Sequence, residues 1–287
     1  MPTTNCPVCH SAMEGGLSGW HFKCAGCSYE SSTLEPAINS NTSQELVDET
    51  KREHGLKTLR TKNFQTLLER IKTHHLVNRR LLEVGCAHGW FLEMAQRDFE
   101  AVGIEPDQHA QDILRKKKLP VRCGFFPQAL EDGEKFDIIV FNDVIEHIPD
   151  IKATLDMCHR HLSENGLLVL NLPNSRGVFY QIAKILAKCS LLSSFERMWQ
   201  KGLPSPHVHY FNALNLKSLL NQHAFEVKEE GVLPTLVLDG LYARISYAKG
   251  LGPVTKGFIY MVVSMALPVL KVLPGDIFYS VAQRKAG

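Results

Sequence analysis

The chain has 287 residues, with 32 basic and 30 acidic side chains that leave a formal net charge of +2. This length can bury one substantial core and carry a small additional module. The near balance of charge provides no marked basic excess, which argues against nucleic acid as a partner and favours a small molecule. The first residues contain neither a basic start nor an apolar run, so we expect a cytoplasmic protein whose eight cysteines are reduced.

Four cysteines near the N-terminus have the spacing of a zinc ribbon. The pairs Cys6/Cys9 and Cys24/Cys27 are each C-x2-C, and 14 residues separate them. Four thiolates in this arrangement can form a closed tetrahedral site, so we predict a structural Zn²⁺ in a module covering residues 1–35. The alternative of free or redox-active thiols fits poorly, because so short a segment needs a metal to fold. The spacing does not decide between a structural or docking role and a substrate-reading role.

Residues 36–78 are predicted to form a polar linker followed by two helices. A capping-box pattern at 42–45 starts a charged helix, which Gly55 is expected to interrupt. The second helix has apolar residues at helical spacing between residues 64 and 71. We expect these helices to cover an edge of the main sheet.

From residue 79 to the C-terminus, strand patterns alternate with helix patterns. Strands are predicted at 81–84, 101–105, 120–123, 136–141, 167–172 and 275–284. The fourth of these is a continuous apolar run, which is typical of a parallel strand buried on both faces. The alternation predicts an α/β fold with a doubly wound, mostly parallel sheet.

The first strand of this sheet runs into a turn with glycines at positions 85 and 89. Because Gly85 and Gly89 lack side chains, a ligand can lie against the main chain there, and the helix that follows points unpaired N–H groups toward it. Glu105 ends the second strand, 20 residues after Gly85. A glycine turn followed by an acidic residue at about this distance is the nucleotide-binding arrangement of open α/β sheets, in which the acid holds the ribose hydroxyls.

Four motifs between residues 79 and 231 carry a resemblance to a known family. The segment Leu82-Glu-Val-Gly-Cys-Ala-His-Gly89 resembles the glycine-rich first motif of class I S-adenosylmethionine-dependent methyltransferases, and 102–107, 136–149 and 166–173 resemble the motifs that follow it. The similarity is to the subgroup of ubiquinone-biosynthesis O-methyltransferases in particular. One departure is Ala87, which replaces the middle glycine of the first motif.

The resemblance implies a Rossmann-like fold and S-adenosylmethionine as cofactor. In that arrangement the turn formed by Gly85, Ala87 and Gly89 would let the backbone approach the methionine part of the cofactor. Glu83 would lie near its ammonium group, and Glu105 would bind the ribose hydroxyls.

The resemblance also implies contacts to the adenine and to the sulfonium. Phe125 or Phe126 would flank the adenine, and Asn142 would face the sulfonium and methionine region. A nicotinamide-dependent dehydrogenase is the competing interpretation of the glycine turn. It is disfavoured because position 87 is Ala and position 90 is Trp, where the dinucleotide fingerprint has glycines.

Three histidines are candidates for acid–base chemistry. Transfer of a methyl group from a sulfonium depends mainly on alignment, so a base is needed only if the acceptor must lose a proton. His147 follows Glu146 after the fourth strand, and imidazole titrates near neutral pH. His207 and His209 lie in a predicted loop and would point the same way in an extended segment. For each of the three, a packing role is the alternative.

Two segments are expected to modify the basic fold. Residues 175–211 are predicted to form inserted lid helices that roof the active site and select the acceptor. Residues 232–274 are apolar, and 257–270 contain one polar side chain, Ser264. Fourteen residues are fewer than the about 20 that cross a bilayer. We therefore expect a buried helix, with peripheral membrane contact as the second interpretation.

The combined prediction is a zinc-ribbon-tagged methyltransferase that acts on a hydroxyl or amine of a small molecule, a glycan or a lipid-linked precursor. Two alternatives are an RNA base methyltransferase whose ribbon reads RNA, which the charge balance disfavours, and a non-catalytic protein that binds the cofactor and docks through the ribbon and apolar segment. The sequence does not specify the acceptor or the oligomeric state.

Overall fold

The computed structural model describes residues 5–39, 49–74, 76, 78–246, 252–270 and 272–285. The strands are β1 (Met13–Gly15), β2 (His21–Cys24), β3 (Glu30–Ser32), β4 (Arg80–Val84), β5 (Glu100–Glu105), β6 (Val121–Cys123), β7 (Phe136–Asn142), β8 (Leu162–Pro173), β9 (His209–Tyr210), β10 (Phe225–Leu233) and β11 (Ile277–Arg284). The helices are α1 (Glu49–Lys72), α2 (Trp90–Ala95), α3 (Gln108–Lys116), α4 (Ile151–His161), α5 (Val178–Lys188), α6 (Ser193–Met198), α7 (Ala213–Gln222), α8 (Leu241–Ser246) and α9 (Pro253–Leu270). A short 3₁₀ helix, Ile145–His147, follows β7.

The main sheet has seven strands in the order β10-β11-β8-β7-β4-β5-β6. Strands β4 to β8 run parallel to their neighbours, whereas β11 lies between β10 and β8 and is antiparallel to both. Every residue of β7 is buried, as its continuous apolar sequence predicts. The predicted doubly wound, mostly parallel sheet and its antiparallel inner final strand are confirmed.

The prediction that Gly55 interrupts the N-terminal helix is wrong. Helix α1 continues through Gly55, because one helical glycine costs only about 1 kcal/mol and the later turns of the helix are anchored by burial. Phe64 packs against Phe91 of α2, with ring centroids 5.5 Å apart, so α1 covers the sheet near the glycine turn as expected. The capping pattern at 42–45 lies outside the described residues.

The N-terminal ribbon is continuous with the rest of the protein. Its sheet has the order β1-β2-β3-β9, so its fourth strand comes from the loop that carries His207 and His209. The side chain of Asn215 in α7 donates a hydrogen bond to the carbonyl of Cys27 at 3.3 Å. Four ribbon residues also belong to the main core cluster, namely Cys6, Val8, Cys24 and Tyr29. The ribbon is therefore fixed against the main fold by its backbone as well as by its side chains.

Helices α5 and α6 pack against the ribbon through a buried carboxylate and a group of aromatic rings. Glu30 of β3 is 1% exposed, accepts hydrogen bonds from Tyr180 Oη and Lys184 Nζ at 2.6 Å each, and pairs with His21 Nε2 at 2.9 Å. Burial opposes ionisation of Glu30, but these three partners together lower its pKa. The rings around this contact are those of Trp20, Phe195, Trp199 and Tyr210. Ribbon and inserted helices thus form one block.

The prediction that the apolar C-terminal segment is a buried helix is wrong. Helix α9 has 18 residues, and Leu267 is the one that is fully buried. Among the described residues it is the one helix long and apolar enough to cross a membrane by length and composition. The remaining contact of α9 is with α8, where the rings of Tyr242 and Tyr260 meet edge to face at 5.7 Å.

Candidate functional site

The glycine turn lies at the edge of the sheet where the parallel strands β4, β5 and β7 end. Gly85 and Gly89 have φ values of 72° and 74°, a conformation that side chains disfavour. A Cβ atom at Gly85 would lie 2.6 Å from Val144 Cγ2, and one at Gly89 would overlap Leu119. Ala87 adopts the same left-handed region with φ of 42°, so the turn keeps its geometry without the middle glycine.

Glu105 lies directly against this turn. Its Oε2 accepts a hydrogen bond from Ala87 N at 2.7 Å, and its Oε1 accepts one from Asp107 N at 2.8 Å. Burial raises the pKa of Glu105, although these two hydrogen bonds act in the opposite direction. The acid that ends β5 therefore reaches the glycine turn.

Glu83 and Asn142 form a buried pair between β4 and β7. Asn142 Nδ2 donates to Glu83 Oε1 at 3.2 Å, and the two side chains are 8% and 2% exposed. Burial, with a smaller contribution from the charge of Glu105, raises the pKa of Glu83 to about 8, against the effect of the Asn142 hydrogen bond. Within the described part of the chain, Glu83 Oε2 and Asn142 Oδ1 have no hydrogen-bond partner. Such buried acceptors are costly unless a donor meets them, so they suit a cationic ligand.

A second pair of carboxylates follows β7. Glu146 is 1% exposed, and burial followed by the nearby charge of Asp143 raises its pKa well above the ordinary value. Neither oxygen of the Glu146 carboxylate has a hydrogen-bond partner among the residues described. Asp143 lies 3.4 Å from Arg60 of α1. Sequence reasoning assigned no role to Asp143 or Arg60, since the ion pair joins residues far apart in the chain.

The structure brings His147 and His207 together beside Glu146. The two imidazole rings meet edge to face with centroids 4.7 Å apart. His147 Nδ1 lies 2.9 Å from the carbonyl of Pro206, which can only accept, so Nδ1 carries the hydrogen. His147 Nε2 lies 3.9 Å from Glu146 Oε1. Ligand atoms of Glu146, His147 and His207 all lie within 4.8 Å of one another, close enough to bind one metal ion.

His209 occupies a different environment from His207. Its Nε2 lies 2.9 Å from the carbonyl of Ile148, and its Nδ1 accepts a short hydrogen bond from the hydroxyl of Tyr29. Burial lowers the pKa of His209 to about 4, so the ring is neutral near pH 7. With both nitrogens bonded to protein groups, His209 links the ribbon to the segment that follows β7, and proton transfer by this ring would require breaking one of these bonds.

This environment makes part of the folding stability depend on pH. In an unfolded chain the histidine pKa is about 6.5, so between that value and about 4 the unfolded state binds a proton that buried His209 does not. The contribution of His209 is complete above pH 6.5 and is lost as the pH falls toward 4. We expect the free energy of unfolding to fall between pH 7 and pH 5 by about 2 kcal/mol more than in His209→Gln. Urea denaturation at the two pH values measures this difference.

Exposed His10 provides the matched control for that measurement. His10→Gln should lose stability between the two pH values as the wild type does. Equal slopes for all three proteins would show that His209 is protonated in the folded state.

Phe125 and Phe126 are separated by the structure. Phe126 packs against Phe141 of the core, with ring centroids 5.7 Å apart, and against His161 at 6.4 Å. Phe125 is 55% exposed. Of the two rings predicted to flank an adenine, Phe125 is the one with an accessible face.

The four ribbon cysteines are gathered into one cluster. Their sulfur atoms all lie within 4.8 Å of one another, with Cys6 Sγ 3.5 Å from Cys27 Sγ and Cys9 Sγ 3.3 Å from Cys24 Sγ. A tetrahedral site with Zn–S bonds of about 2.3 Å has sulfurs about 3.8 Å apart. A hydrogen bond with Ser11 lowers the pKa of Cys9 to about 6, whereas burial raises the pKa of Cys6 to about 11. The donor set and its spacing fit zinc.

Comparison with known proteins places this geometry in a family. A methyltransferase domain family matches residues 52–230, more than half of the chain. The ubiquinone biosynthesis O-methyltransferase of Glaesserella parasuis is 27% identical over 170 residues, which cover 55% of this chain and 70% of that protein. The enzyme of the same name from Psychrobacter cryohalolentis is 28% identical over 127 residues, 39% of this chain and 48% of the relative's length. The chain thus spans about half the length of some curated relatives that it matches.

A solved structure supports the same assignment at the level of fold. The geranyl diphosphate C-methyltransferase of Streptomyces coelicolor, solved with Mg²⁺, geranyl diphosphate and S-adenosyl-L-homocysteine, aligns with a TM-score of 0.53 at 13% identity. The alignment covers 88% of this chain and 90% of that one. The chain therefore belongs to the methyltransferase domain family and is a class I S-adenosylmethionine-dependent methyltransferase.

Proposed function

We propose that the protein transfers a methyl group to a hydroxyl of a small amphiphilic molecule. The observation that carries the choice of a hydroxyl is the pair formed by His147 and buried Glu146 next to the glycine turn. A hydroxyl must lose its proton to become a good nucleophile, so its methylation uses a base. The relatives named as ubiquinone biosynthesis O-methyltransferases support the same type of acceptor.

The residues at the sheet edge suit S-adenosylmethionine, which supplies a methyl group on a positively charged sulfur when it is bound. Glu83 Oε2 and Asn142 Oδ1 would accept hydrogen bonds from its ammonium group. Glu105 would bind the ribose hydroxyls by exchanging its contact with Ala87 N, and the accessible ring of Phe125 would pack on the adenine. The raised pKa values of Glu83 and Glu105 fit this assignment, because a cation would stabilise both ionised forms.

The proposed base is His147. With the hydrogen on Nδ1 held by Pro206, Nε2 is the nitrogen that can take a proton from the acceptor. The carboxylate of Glu146 would stabilise the resulting imidazolium, and His207 positions the ring by edge-to-face contact. His209 would serve as an anchor between the ribbon and this segment.

Replacement of the base tests the proposed reaction. We expect His147→Gln to lower kcat for a phenol by about 10²- to 10⁴-fold, because proton removal is lost. A nitrophenol that is already ionised at the assay pH should be methylated by wild type and His147→Gln at similar rates. Equal losses with both acceptors would show that His147 has a structural role, and full activity of the variant with both would exclude it as the base.

The ribbon is proposed to bind one structural Zn²⁺ through Cys6, Cys9, Cys24 and Cys27. Its position supports a role in holding the active-site wall. Strand β9 pairs with β3 of the ribbon, and the same segment contacts His147 through Pro206 and His207.

A further inference from the structure

We propose that helix α9 docks the protein on the surface of a membrane that contains anionic lipids. The inference deepens the proposed function and rests on it for one point only, namely that an amphiphilic acceptor would reach the active site from this surface.

One face of α9 is apolar and accessible. The exposed residues recur every three or four positions and so lie on one side of the helix. Their exposed fractions are 60% for Phe258, 49% for Met261, 66% for Met265 and 60% for Val269. The apolar surface continues past the helix with Val272, which is 83% exposed. A contiguous accessible stripe of this kind marks a contact site for a protein or a membrane.

The charges around α9 favour anionic lipid over a second copy of the chain. Between Asp239 and Asp276 the sequence has four basic residues and no acidic one. The basic residues are Arg244, Lys249, Lys256 and Lys271. A second copy docked through the same face would bring these cations together, whereas anionic headgroups attract them.

The connections of α9 favour a position along the membrane surface. At about 1.5 Å per residue the helix is about 27 Å long, slightly shorter than a hydrocarbon core of about 30 Å. The segment that contains it leaves the sheet after β10 and returns at β11, and these two strands are neighbours. A crossing helix would therefore need a second crossing by residues 235–252, which carry three charged side chains, Asp239, Arg244 and Lys249.

Docking through α9 would bring the active-site edge of the sheet toward the lipid. Strand β10 runs parallel to β8, so its last residue, Leu233, lies at the same edge as the ends of β4 and β7. Just beyond it, Asn63 of α1 donates a hydrogen bond to the carbonyl of Pro234 at 3.1 Å. One turn earlier on α1, Arg60 pairs with Asp143 of the site. The base of the apolar segment and the site thus share one helix.

Vesicle flotation tests the proposal with the full chain. The probes are vesicles of phosphatidylcholine alone and of phosphatidylcholine mixed with phosphatidylglycerol. Wild type should float with the anionic vesicles and less with the neutral ones. Phe258→Glu should reduce the apparent affinity by about tenfold or more, because it removes a buried aromatic contact and adds a negative charge. Leu214→Glu on α7, at a residue 65% exposed, is the matched control and should float like wild type.

Two further readouts keep the result interpretable. Affinity for S-adenosylmethionine should be the same in wild type and Phe258→Glu, so a docking failure is distinct from a failure of the methyltransferase site. Wild type that floats with neither vesicle, or Phe258→Glu that floats like wild type, would overturn the proposal. A dimer in light scattering that Phe258→Glu dissociates, with no vesicle binding, would assign this face to a second copy instead.

Discussion

Cys24→Ser is expected to remove zinc from the protein and to unfold the ribbon. Cys24 is fully buried in the main core cluster, and three thiolates with a hydroxyl form a much weaker zinc site. Binding of structural zinc contributes apparent free energies of about 10 to 16 kcal/mol in ribbon-sized peptides. Loss of the ribbon would also expose Tyr29 and remove the partner strand of β9. We expect the melting temperature to fall by about 10 °C or more, since each kcal/mol corresponds to about 2 to 4 °C.

Metal analysis and thermal unfolding of the same samples measure this effect. Cys189→Ser is the control, because Cys189 is exposed and lies outside the cluster. Wild type and Cys189→Ser should contain about one zinc per chain, and Cys24→Ser should contain close to none. Zinc-free wild type, purified without chelator and melting like the metal-loaded protein, would show that the cluster is not a zinc site.

Gly85→Ala is expected to weaken S-adenosylmethionine binding by about 10- to 100-fold. The substitution places a Cβ 2.6 Å from Val144 Cγ2, so either Val144 or the turn must move. Overpacking of this kind costs about 1 to 3 kcal/mol, and 1.4 kcal/mol corresponds to a factor of ten in affinity. The left-handed φ of 72° adds strain to any side chain at this position. Calorimetric titration with S-adenosylmethionine gives the dissociation constant directly.

Gly133 offers a control with the same backbone conformation. Its φ is 76°, and a Cβ there would have no atom within 4 Å. Gly133→Ala should lose stability by about 1 to 2 kcal/mol through strain alone and bind the cofactor like wild type. In the double variant Gly85→Ala with Val144→Ala, removal of the clash should restore part of the affinity. Wild-type affinity in Gly85→Ala would show that the turn does not contact the ligand.

The sheet and the glycine turn could be predicted because their signals are local. The apolar run of β7 specifies a strand buried on both faces, and the spacing of Gly85, Gly89 and Glu105 specifies a turn and an acid at one sheet edge. The structure places Glu105 against Ala87 of that turn. The cysteine spacing likewise predicted the cluster that the structure contains.

Features that depend on contacts between distant segments could not be read from the sequence. The pairing of β9 with the ribbon joins residues about 180 positions apart, and it gives His209 a buried site that alternation with His207 did not predict. The ion pair of Arg60 with Asp143 arises in the same way. Gly55 was expected to end a helix because local propensity was weighed without the tertiary contacts of α1. The exposure of α9 was missed because an apolar composition fits a core helix and a surface helix equally well.

Transfer of a labelled methyl group tests the central claim most directly. The wild-type protein is incubated with methyl-labelled S-adenosylmethionine and, separately, with a lipid extract, an aqueous small-molecule extract or total RNA. We predict that label enters a lipid-extract product as a methyl ether, with one S-adenosylhomocysteine formed per methyl transferred. Label in RNA would contradict the proposed acceptor class. A protein that binds S-adenosylmethionine but transfers no label to any of the three would contradict catalysis and favour a cofactor-binding docking role.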